Sequence, residues 1–519
     1  MRLFDHLDWH AREQPDTAFA WFNGRELSYR EARERSNQIA NALVAEGLAP
    51  GARVAFLAKN TPEFVLFYYG AAKAGVVPVP LNYRLAPPEW SYIVNDSGAQ
   101  LLFARGALAA AIDPIRGELS KVKKCLALDA AAPAGWESYE AWVARQPKTP
   151  PALVVDEDAD VYQMYTSGTT GRPKGAVLQH RAVTANADQI STVAPLHPGD
   201  PYLVVAPLYH AAAAVASFWI VRAGGTLYIQ EDFVPAEAVK AMSEAGIVGA
   251  TLVPAMIQAC LVMVPDVAQR NFDKLRIVVY GASPIAVETL RRAIEVFGCG
   301  FAQGFGMTET TAAATFLLPA DHERALRGQP GLLLSCGRAL PGTQVVIADA
   351  DDREVPRGQI GEILVRGPQI MRGYWNLPEA SADALRGGWM HTGDAAVMDE
   401  EGFVYIQDRV KDMIVSGGEN VDPREIEDVL FRHPAVADAA VIGVPDAQWG
   451  EVVKAIVVLR AGAATSEDEL VEHCRGQLAG YKRPRSVDFI AELPRNPSGK
   501  VLKRELREPY WKGHSRRVS

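Results

Sequence analysis

The N-terminal part of the chain alternates between helical and extended hydrophobic patterns. Ser28 and Glu31 can form a capping box at the start of an amphipathic helix, and the apolar residues 54–57 that follow it predict a buried strand. Thr61 can cap a second helix, which has a proline at its first position, and residues 76–79 predict the next strand. Strands that alternate with helices form mainly parallel sheets covered by helices on both faces. We therefore expect an α/β fold.

Three later apolar runs end in polar or glycine-rich residues. They occupy residues 202–210, 277–284 and 301–309. Because ligands bind at the carboxyl ends of parallel strands, we expect these three ends to converge on one crevice. Four alanines follow His210 and leave space instead of filling it. A lone histidine at a strand end is more often a structural residue, so His210 needs support from its neighbours.

A glycine-rich loop at residues 165–175 follows the apolar-leaning residues 161–164. Its glycines let backbone N–H groups turn inward as a concave nest, and its hydroxyl side chains and Lys174 add donors toward one anion. The loop is not a Walker A motif, because it lacks the Gly-Lys-Ser/Thr ending and Pro173 precedes the lysine. A plain surface turn would have a similar composition. The length of the string nevertheless favours a polyphosphate site.

Further candidate residues suit other parts of a nucleotide. Glycines flank Phe305, so its ring can stack on an aromatic base while the backbone approaches the edge of that base. Thr308 can reach a phosphate oxygen, and Glu309 can bind Mg²⁺, which prefers one or two carboxylates together with phosphate oxygens. Asp394 follows a glycine turn, where it could accept hydrogen bonds from both ribose hydroxyls, although Thr-Gly-Asp is also a common turn.

The pattern changes after a predicted strand at residues 403–406. Of residues 408–412, four of five are charged. Such a run makes a poor core segment and a good hinge. Beyond it, Pro423 opens an amphipathic helix, two strands follow, and Ser466 starts another helix, which is enough for a separate α+β domain. Asn-Pro and Ser-Gly pairs then place Lys500 on an exposed loop. The expected domains are residues 1–410 and 411–519.

Composition narrows the class of protein. A chain of 519 residues, 48% hydrophobic and 22% charged, indicates a soluble enzyme-sized protein of several domains. The formal charge of -9 argues against a nucleic-acid partner. The five cysteines have neither metal-site nor disulfide spacing, which suits a reducing cytoplasm.

The N-terminus lacks a secretory h-region. Residues 203–221 are apolar but interrupted by Pro207 and His210, so they predict a buried strand and helix instead of a membrane span, and peripheral membrane contact stays open.

Five motifs in a fixed order resemble those of the adenylate-forming superfamily. They are the loop at residues 165–175, residues 305–309, residues 391–394, the hinge followed by residues 416–420, and the loop that carries Lys500. Within that superfamily the chain is most similar to bacterial fatty acyl-CoA synthetases and aryl acid:CoA ligases, and the likeness covers practically the whole chain. The resemblance implies a large N-terminal domain of layered β-α-β subdomains with a distorted barrel, and a small mobile α+β C-terminal domain.

The resemblance also implies a two-step reaction. A carboxylate attacks the α-phosphate of ATP to give an acyl-adenylate and pyrophosphate, and the thiol of coenzyme A then displaces AMP. The implied catalytic residues are Lys500, His210, Thr166 and Glu309, with Glu309 holding Mg²⁺. The positions that match nucleotide contacts are Thr166, Ser167, Gly168, Thr169, Thr170, Gly171 and Lys174 for the pyrophosphate end, Thr308 for the α-phosphate, Gly281, Ala282, Gly304 and Phe305 for the adenine, and Asp394 and Arg409 for the ribose.

The same likeness assigns roles in the second step. Lys411 matches the hinge position, Gly418 would border the pantetheine tunnel, and Trp449 could stack on the base of coenzyme A. His210 would lie between the acyl pocket and the path of the thiol. For Trp449 the alternative is a buried aromatic of the core.

Several alternatives remain at this point. A medium- or long-chain fatty acid comes first as the substrate, because the alanines after His210 leave room for an apolar acyl group. A benzoate- or cinnamate-type acid is second, and an adenylation enzyme with a different acceptor is a third reading. A nucleotide-binding module without catalysis would be expected to lack Lys500 or Glu309, and both are present. A homodimer is common among similar proteins.

Overall fold

Sixteen helices and 26 strands alternate along the part of the chain that the computed structural model describes. That part comprises residues 1–129, 131–166, 172–283, 285, 287–349, 351–409, 414–421, 423–494, 501 and 503–512. The helices α1–α16 are, in order, Leu3–Glu13, Tyr29–Ala45, Pro62–Lys73, Pro87–Ser97, Ala107–Ile112, Tyr139–Ala144, His180–Val193, Ala211–Arg222, Pro235–Glu244, Pro254–Met263, Val287–Phe297, Pro319–Leu326, Pro378–Ala384, Pro423–Leu430, Glu467–Cys474 and Lys503–Trp511.

The strands are mostly short. In chain order, β1–β26 are Ala18–Phe22, Arg25–Ser28, Arg53–Leu57, Val77–Pro80, Leu101–Ala104, Lys124–Ala127, Glu137–Ser138, Asp160–Thr166, Lys174–Gln179, Pro201–Val204, Thr226–Ile229, Gly249–Leu252, Ile277–Gly281, Gly300–Phe305, Thr315–Leu317, Arg338–Ala339, Gln344–Ala348, Ile360–Arg366, Gly373–Tyr374, Met390–Met398, Val404–Arg409, Ile414–Ser416, Glu419–Val421, Val436–Asp446, Gly450–Leu459 and Ser486–Phe489.

Local sequence signals determine where helices α2 and α3 begin, as predicted. The side chain of Ser28 accepts a hydrogen bond from the backbone N–H of Glu31, and the Glu31 carboxylate accepts one from the Ser28 N–H at 2.8 Å. This reciprocal pair satisfies two donors that a helix start leaves without partners. Thr61 caps α3 by accepting a hydrogen bond from the backbone N–H of Phe64, with Pro62 at the first position of the helix. The predicted helix starts are therefore confirmed.

Two sheets contain the predicted parallel strands. The larger has the order β16-β15-β14-β13-β12-β10-β11-β1-β2, and its neighbours from β14 to β1 pair in parallel, whereas both edges are antiparallel. The second, β4-β3-β5-β6-β7, is parallel throughout. The mainly parallel character expected from β-α-β alternation holds for these two sheets.

Antiparallel sheets make up the rest of the N-terminal part. Their orders are β17-β18-β20-β21 and β19-β9-β8. Strands β8 and β9 are joined by the glycine-rich loop, with Thr166 and Lys174 as paired residues at its two ends. The alternation of helices and strands did not predict these antiparallel sheets, because hairpins need no helix between their strands.

One boundary predicted from sequence is wrong. The charged run from residue 408 was expected to lie beyond the strand at residues 403–406, but β21 continues to Arg409, whose backbone pairs with that of Asp394. The reason is that β21 is the edge strand of its sheet, where charged residues are tolerated because one side of the strand faces away from its neighbours.

A small C-terminal domain follows. It contains α14–α16 around a sheet of order β23-β22-β25-β24, with β26 beside β25. Buried apolar residues up to Val404 and those from Ile414 onward form separate hydrophobic clusters, so each part has a core of its own. The fold is thus mixed α/β, with a large N-terminal and a small C-terminal domain. The exact boundary at residue 410 stays a prediction, since residues 410–413 lie outside the described ranges.

The apolar residues 203–221 contribute to β10 and α8, both largely buried, as the sequence predicted. Within the described ranges, we find no helix that is long and apolar enough to cross a lipid bilayer.

Candidate active site

A cavity of about 1560 Å³ lies between the two domains, at the carboxyl ends of β10, β12, β13 and β14. It collects predicted site residues from distant parts of the chain. Those that line it are Thr166, Lys174, His210, Gly281, Ala282, Gly304, Phe305, Thr308, Glu309, Asp394, Gly418 and Trp449. Residues 167–171, Lys411 and Lys500 lie outside the described part of the chain, as does the side chain of Arg409.

A narrow slot for a flat group is formed where β13 and β14 end. Gly281 and Gly304 are paired across the two strands, and a Cβ atom on Gly281 would lie 2.1 Å from the Gly304 carbonyl oxygen. Only glycine therefore permits this approach. The next residue, Ala282, has a φ of 65°, which side-chain-bearing residues rarely adopt. Phe305 follows on the opposite strand and lines the same slot.

Glu309 lies in a one-turn 3₁₀ helix, Thr308–Thr310, and is only 4% exposed. The Tyr374 hydroxyl donates a hydrogen bond to its Oε1 at 2.7 Å, and Thr166 Oγ1 lies 3.5 Å from the same oxygen. Burial, together with this carboxylate, raises the pKa of Tyr374, so the phenol stays a donor. Both contacts are made to Oε1.

This arrangement suits a magnesium ion carried by a nucleotide. Mg²⁺ is usually bound by one or two carboxylates plus phosphate oxygens and water. The described residues contain no cluster of three His, Cys, Asp or Glu side chains that could hold a metal ion alone. Glu309 would therefore supply one oxygen ligand, and the phosphates of the nucleotide would supply others.

The ends of the glycine-rich loop lie beside Glu309. Thr166 ends β8 and Lys174 begins β9, and the Lys174 ammonium lies 5.2 Å from the centre of the Tyr374 ring. Thr308 is close by, with its Oγ1 3.4 Å from the sulfur of Met164. A cation, two hydroxyls and a buried carboxylate thus converge at one end of the cavity, as a polyphosphate and its counterion require.

Asp394 lies further along the cavity wall, in β20. Its backbone N–H donates to Thr392 Oγ1 at 3.1 Å, and that hydroxyl donates to the Ile363 carbonyl at 2.8 Å. These bonds fix the turn that presents the carboxylate. The register pairs Asp394 with Arg409, so the two residues predicted to bind ribose are neighbours on adjacent strands.

The C-terminal domain reaches the cavity through a hairpin formed by β22 and β23. Its two central residues, Gly417 and Gly418, have φ angles of 58° and 84°. Two successive positive φ angles are the requirement of a type I′ turn, which explains two glycines here. A Cβ atom on Gly418 would lie 3.1 Å from the side chain of Val253, so the turn closely approaches the N-terminal domain.

Glu419, the next residue in this hairpin, makes several polar contacts across the domain interface. Its Oε2 lies 3.0 Å from Nε2 of His210, and its Oε1 accepts hydrogen bonds from the Tyr209 hydroxyl at 2.7 Å and from Arg84 at 2.9 Å. Burial opposes ionisation of Glu419, but His210 and Arg84 outweigh it and hold the pKa of this carboxyl at about 2. His210 is thus held by a carboxylate of the other domain.

Trp449 lies beside the same turn. The Gly417 N–H donates to the Trp449 carbonyl at 2.9 Å, and a Cβ on Gly417 would lie 2.6 Å from the indole. The side chain is 41% exposed and lines the cavity. The alternative that Trp449 is a core aromatic is therefore wrong.

An apolar channel runs from His210 along helix α8. Ala212, Ala216 and Trp219 all line the cavity and occupy one helical face at spacings of four and three residues. Trp219 is 1% exposed and packs edge-on against Tyr202, with ring centroids 5.1 Å apart. From Ala212 to Trp219 the helix rises by about 10 Å. The cavity thus follows this face of the helix for two turns, as far as the Trp219 indole.

Three residues of the site were missed from the sequence: Arg84, Trp219 and Tyr374. Arg84 follows β4 and could have been found as a charge just beyond the carboxyl end of a parallel strand. Trp219 could have been found from its helical spacing to Ala212. For Tyr374, in the short strand β19, no sequence signal indicated contact with Glu309.

Comparisons with known proteins agree with this geometry. The AMP-binding enzyme family matches residues 7–375, and its C-terminal domain matches residues 425–500. The chain is 40% identical to a fatty acid–[acyl-carrier-protein] ligase of Streptomyces coeruleorubidus, over 100% of this chain and 98% of that protein. It is 38% identical to a feruloyl-CoA synthase of an Amycolatopsis species, over 96% and 97%.

A solved structure of the o-succinylbenzoate CoA synthetase from Bacillus subtilis superposes on this fold with a TM-score of 0.86. The two chains are 28% identical, and the match covers 98% of each. Family, sequence relatives and structure thus point to one kind of enzyme. The chain belongs to the AMP-binding enzyme family, as an AMP-forming acid–thiol ligase of the adenylate-forming superfamily.

Proposed function

We propose that this ligase activates a medium- or long-chain fatty acid as its acyl-adenylate and transfers the acyl group to coenzyme A. The observation that carries the proposal is the interdomain cavity, which joins the polyphosphate end at Glu309, the base slot at Gly281 and the apolar channel that ends at Trp219. A carboxylate at the mouth of that channel would face the α-phosphate of a bound nucleotide.

In the first step, a carboxylate oxygen attacks the α-phosphorus of ATP and pyrophosphate leaves. Negative charge then gathers on the phosphate oxygens, so positioning and fixed positive charge are the main catalytic requirements. We assign the pyrophosphate end to Thr166 and Lys174 and the α-phosphate to Thr308. Mg²⁺ held at Glu309 would neutralise the phosphates, and Lys500 would supply a further cation.

In the second step, the thiol sulfur of coenzyme A attacks the acyl carbonyl carbon. A carbon–sulfur bond forms, the bond to the AMP oxygen breaks, and the thiol proton is lost. We assign Gly418 and Trp449, which line the cavity, to the pantetheine arm and the base of coenzyme A. We assign His210, which contacts Glu419 of the hairpin, to the position between the acyl pocket and the path of the thiol. Glu419, ionised beside His210, fixes the orientation of that ring.

The acid is assigned from the lining of the channel. Ala212 and Ala216 leave space, and the side chains on this face up to Trp219 carry no charge, so the acyl group should carry no charge at its far end. A fatty acid meets this requirement best. An aryl acid is the second candidate, because a relative at 38% identity is named a feruloyl-CoA synthase and an aromatic ring fits a short, flat-walled channel.

A panel of acids tests the proposal. Fatty acids of increasing length, benzoate and ferulate are each incubated with ATP and Mg²⁺, and AMP release is measured with coenzyme A, with a phosphopantetheinyl acyl carrier protein, and without an acceptor. Fatty acids with coenzyme A should give the highest kcat/KM. A preference for ferulate would select the aryl alternative, a preference for the carrier protein a different acceptor, and no ATP consumption with any acid would refute the function.

A further inference from the structure

A buried cluster of charges joins the two domains, and its lysine, Lys482, also lines the cavity. Lys482 belongs to the C-terminal domain and is 3% exposed. Its ammonium lies 2.6 Å from Glu89, on α4 of the N-terminal domain, and 2.9 Å from Glu425, on α14 of its own domain. The other oxygen of Glu89 accepts a hydrogen bond from the backbone N–H of Ala479 at 2.9 Å. Glu89 is thus bound twice by the C-terminal domain.

The two carboxylates play different parts. Glu425 lies in the same domain as Lys482, so that pair does not depend on how the domains are arranged. Glu89 meets Lys482 only when the C-terminal domain is docked as observed. Because the ammonium and both carboxylates are buried, loss of one partner leaves charge without compensation inside the protein. The Glu89 contact therefore stabilises the observed arrangement of the two domains relative to any other arrangement.

The same N-terminal segment makes further contacts with the C-terminal domain. Asn82 donates to the Tyr481 hydroxyl at 3.0 Å, and its amide nitrogen lies 3.4 Å from Glu419 Oε2. Arg84 binds the other oxygen of Glu419. Residues 82–89 thus form a docking strip that holds Lys482 at one end and the Gly417-Gly418 hairpin, through Glu419, at the other.

We propose that Lys482 is a positioning residue for thioester formation. Its pairing with Glu89 fixes the docking that places Gly418 and Trp449 at the cavity. This inference rests on the proposed function, because it assigns the hairpin to coenzyme A. The described residues assigned to adenylation, among them Glu309, all lie in the N-terminal domain and contact neither Lys482 nor Glu89. Loss of the pair should therefore impair transfer to the thiol and spare acyl-adenylate formation.

The test measures the two half-reactions separately in Lys482→Met, which keeps most of the apolar stem and removes the charge. Acid-dependent ATP–pyrophosphate exchange reports adenylation, and release of AMP from supplied acyl-AMP on addition of coenzyme A reports transfer. We expect transfer to fall by about tenfold or more, since a buried ion pair is broken. Exchange should stay within about twofold of the unmodified enzyme, because the described residues assigned to the nucleotide belong to the N-terminal domain and are unaltered.

Two further variants keep the result interpretable. Glu89→Gln removes the interdomain charge but leaves the Lys482–Glu425 pair inside its own domain, and it should show the same split even if Lys482→Met folds poorly. Lys73→Met is the matched control. Lys73 is also 3% exposed and pairs with Asp8 at 2.7 Å, but both residues lie in the N-terminal domain. It should change the two half-reactions equally.

The outcomes separate this inference from the proposed function. Unchanged transfer in Glu89→Gln, or equal losses of exchange and transfer in that variant, would overturn the role of Lys482. A larger loss of transfer than of exchange in the Lys73 control would also overturn it, since the effect would then follow from the removal of any buried lysine. If the unmodified enzyme shows neither exchange nor transfer with any acid, it is the proposed function that fails.

Discussion

Glu419 Oε2 and His210 Nε2 lie 3.0 Å apart although 208 residues separate them in the chain and they belong to different domains. The contact joins the hairpin assigned to coenzyme A to the residue that precedes the acyl channel. Since the pKa of Glu419 is held at about 2, the carboxylate is ionised at every pH at which the enzyme would be assayed. Its depressed pKa stabilises this docking above the normal carboxyl range, and the contribution is lost only as the pH falls toward 2.

Glu419→Gln should therefore slow thioester formation by about tenfold to a hundredfold, the range expected when a charge-assisted hydrogen bond is lost. ATP–pyrophosphate exchange should change little. Stopped-flow or quenched-flow measurement of AMP release from acyl-AMP checks this expectation. Transfer at the normal rate would show that the contact with His210 has no part in the second step.

The docking cluster predicts a dependence on pH. Burial raises the pKa of Glu425 to about 7, with Glu89 adding to the rise and Lys482 opposing it. A carboxyl with a raised pKa stabilises the docked state while protonated, and this contribution is lost as the pH rises through about 7. We expect the ratio of transfer rate to exchange rate to fall as the pH rises toward about 7 and to level off above it. Glu425→Gln should flatten that ratio between about pH 5 and 7, and a variant with the unaltered profile would contradict the assignment.

Gly418→Leu should slow transfer at least about tenfold more than exchange, because a side chain here meets Val253 and enters the path of the thiol. Gly402→Leu is the control for backbone strain. Gly402 has a φ of 83°, close to the 84° of Gly418, but a Cβ atom added to it would meet nothing within 4 Å. That variant should lower thermal stability without separating the half-reactions. Equal losses in Gly418→Leu would argue against a tunnel at this turn.

Trp219 should limit the length of the acid. The open part of the channel is about 10 Å long, and because each carbon adds at most a bond length of about 1.5 Å, it accepts at least about seven carbons beyond the carboxylate. Trp219→Ala and the milder Trp219→Leu should shift the optimum of kcat/KM to longer fatty acids. Trp142→Leu is the control, since Trp142 is also buried but does not line the cavity. An unchanged length profile in both Trp219 variants would show that the channel ends elsewhere.

Lys500 is predicted from its motif to be the cation of the first step. Lys500→Ala should reduce ATP–pyrophosphate exchange by about a thousandfold, as when a preorganised charge-stabilising group is removed, and should spare transfer from supplied acyl-AMP. Rapid chemical quench of both half-reactions provides the measurement. Exchange at the normal rate would remove Lys500 from the mechanism.

Much of the fold and of the site could be predicted because the signals are local. Ser28 and Thr61 mark helix starts through bonds to residues three positions away, and Gly281 and Gly304 mark strand ends through a backbone approach that only glycine permits. Glu309 and Asp394 were found in the same way, from the turns that carry them. These residues meet in one cavity because parallel strands end at one edge of their sheet.

The contacts that the sequence did not predict are those between distant segments. Glu89 and Lys482 are nearly four hundred residues apart, and their pairing depends on how two independently packed domains are docked. Trp219 has the spacing of an ordinary core residue, so its position at the end of a channel follows only from the alanines that precede it. Arg409 was placed beyond its strand because a charged run does not distinguish an edge strand from a loop.

The pairing of Asp394 with Arg409 has a bearing on the order in which products depart. Both belong to one hairpin of the N-terminal domain, and the chain leaves that hairpin just before it enters the C-terminal domain. A rearrangement of the C-terminal domain would therefore not disturb the contacts that we propose with the ribose of the nucleotide. AMP would remain bound while the thioester is released, and would be the last product to dissociate.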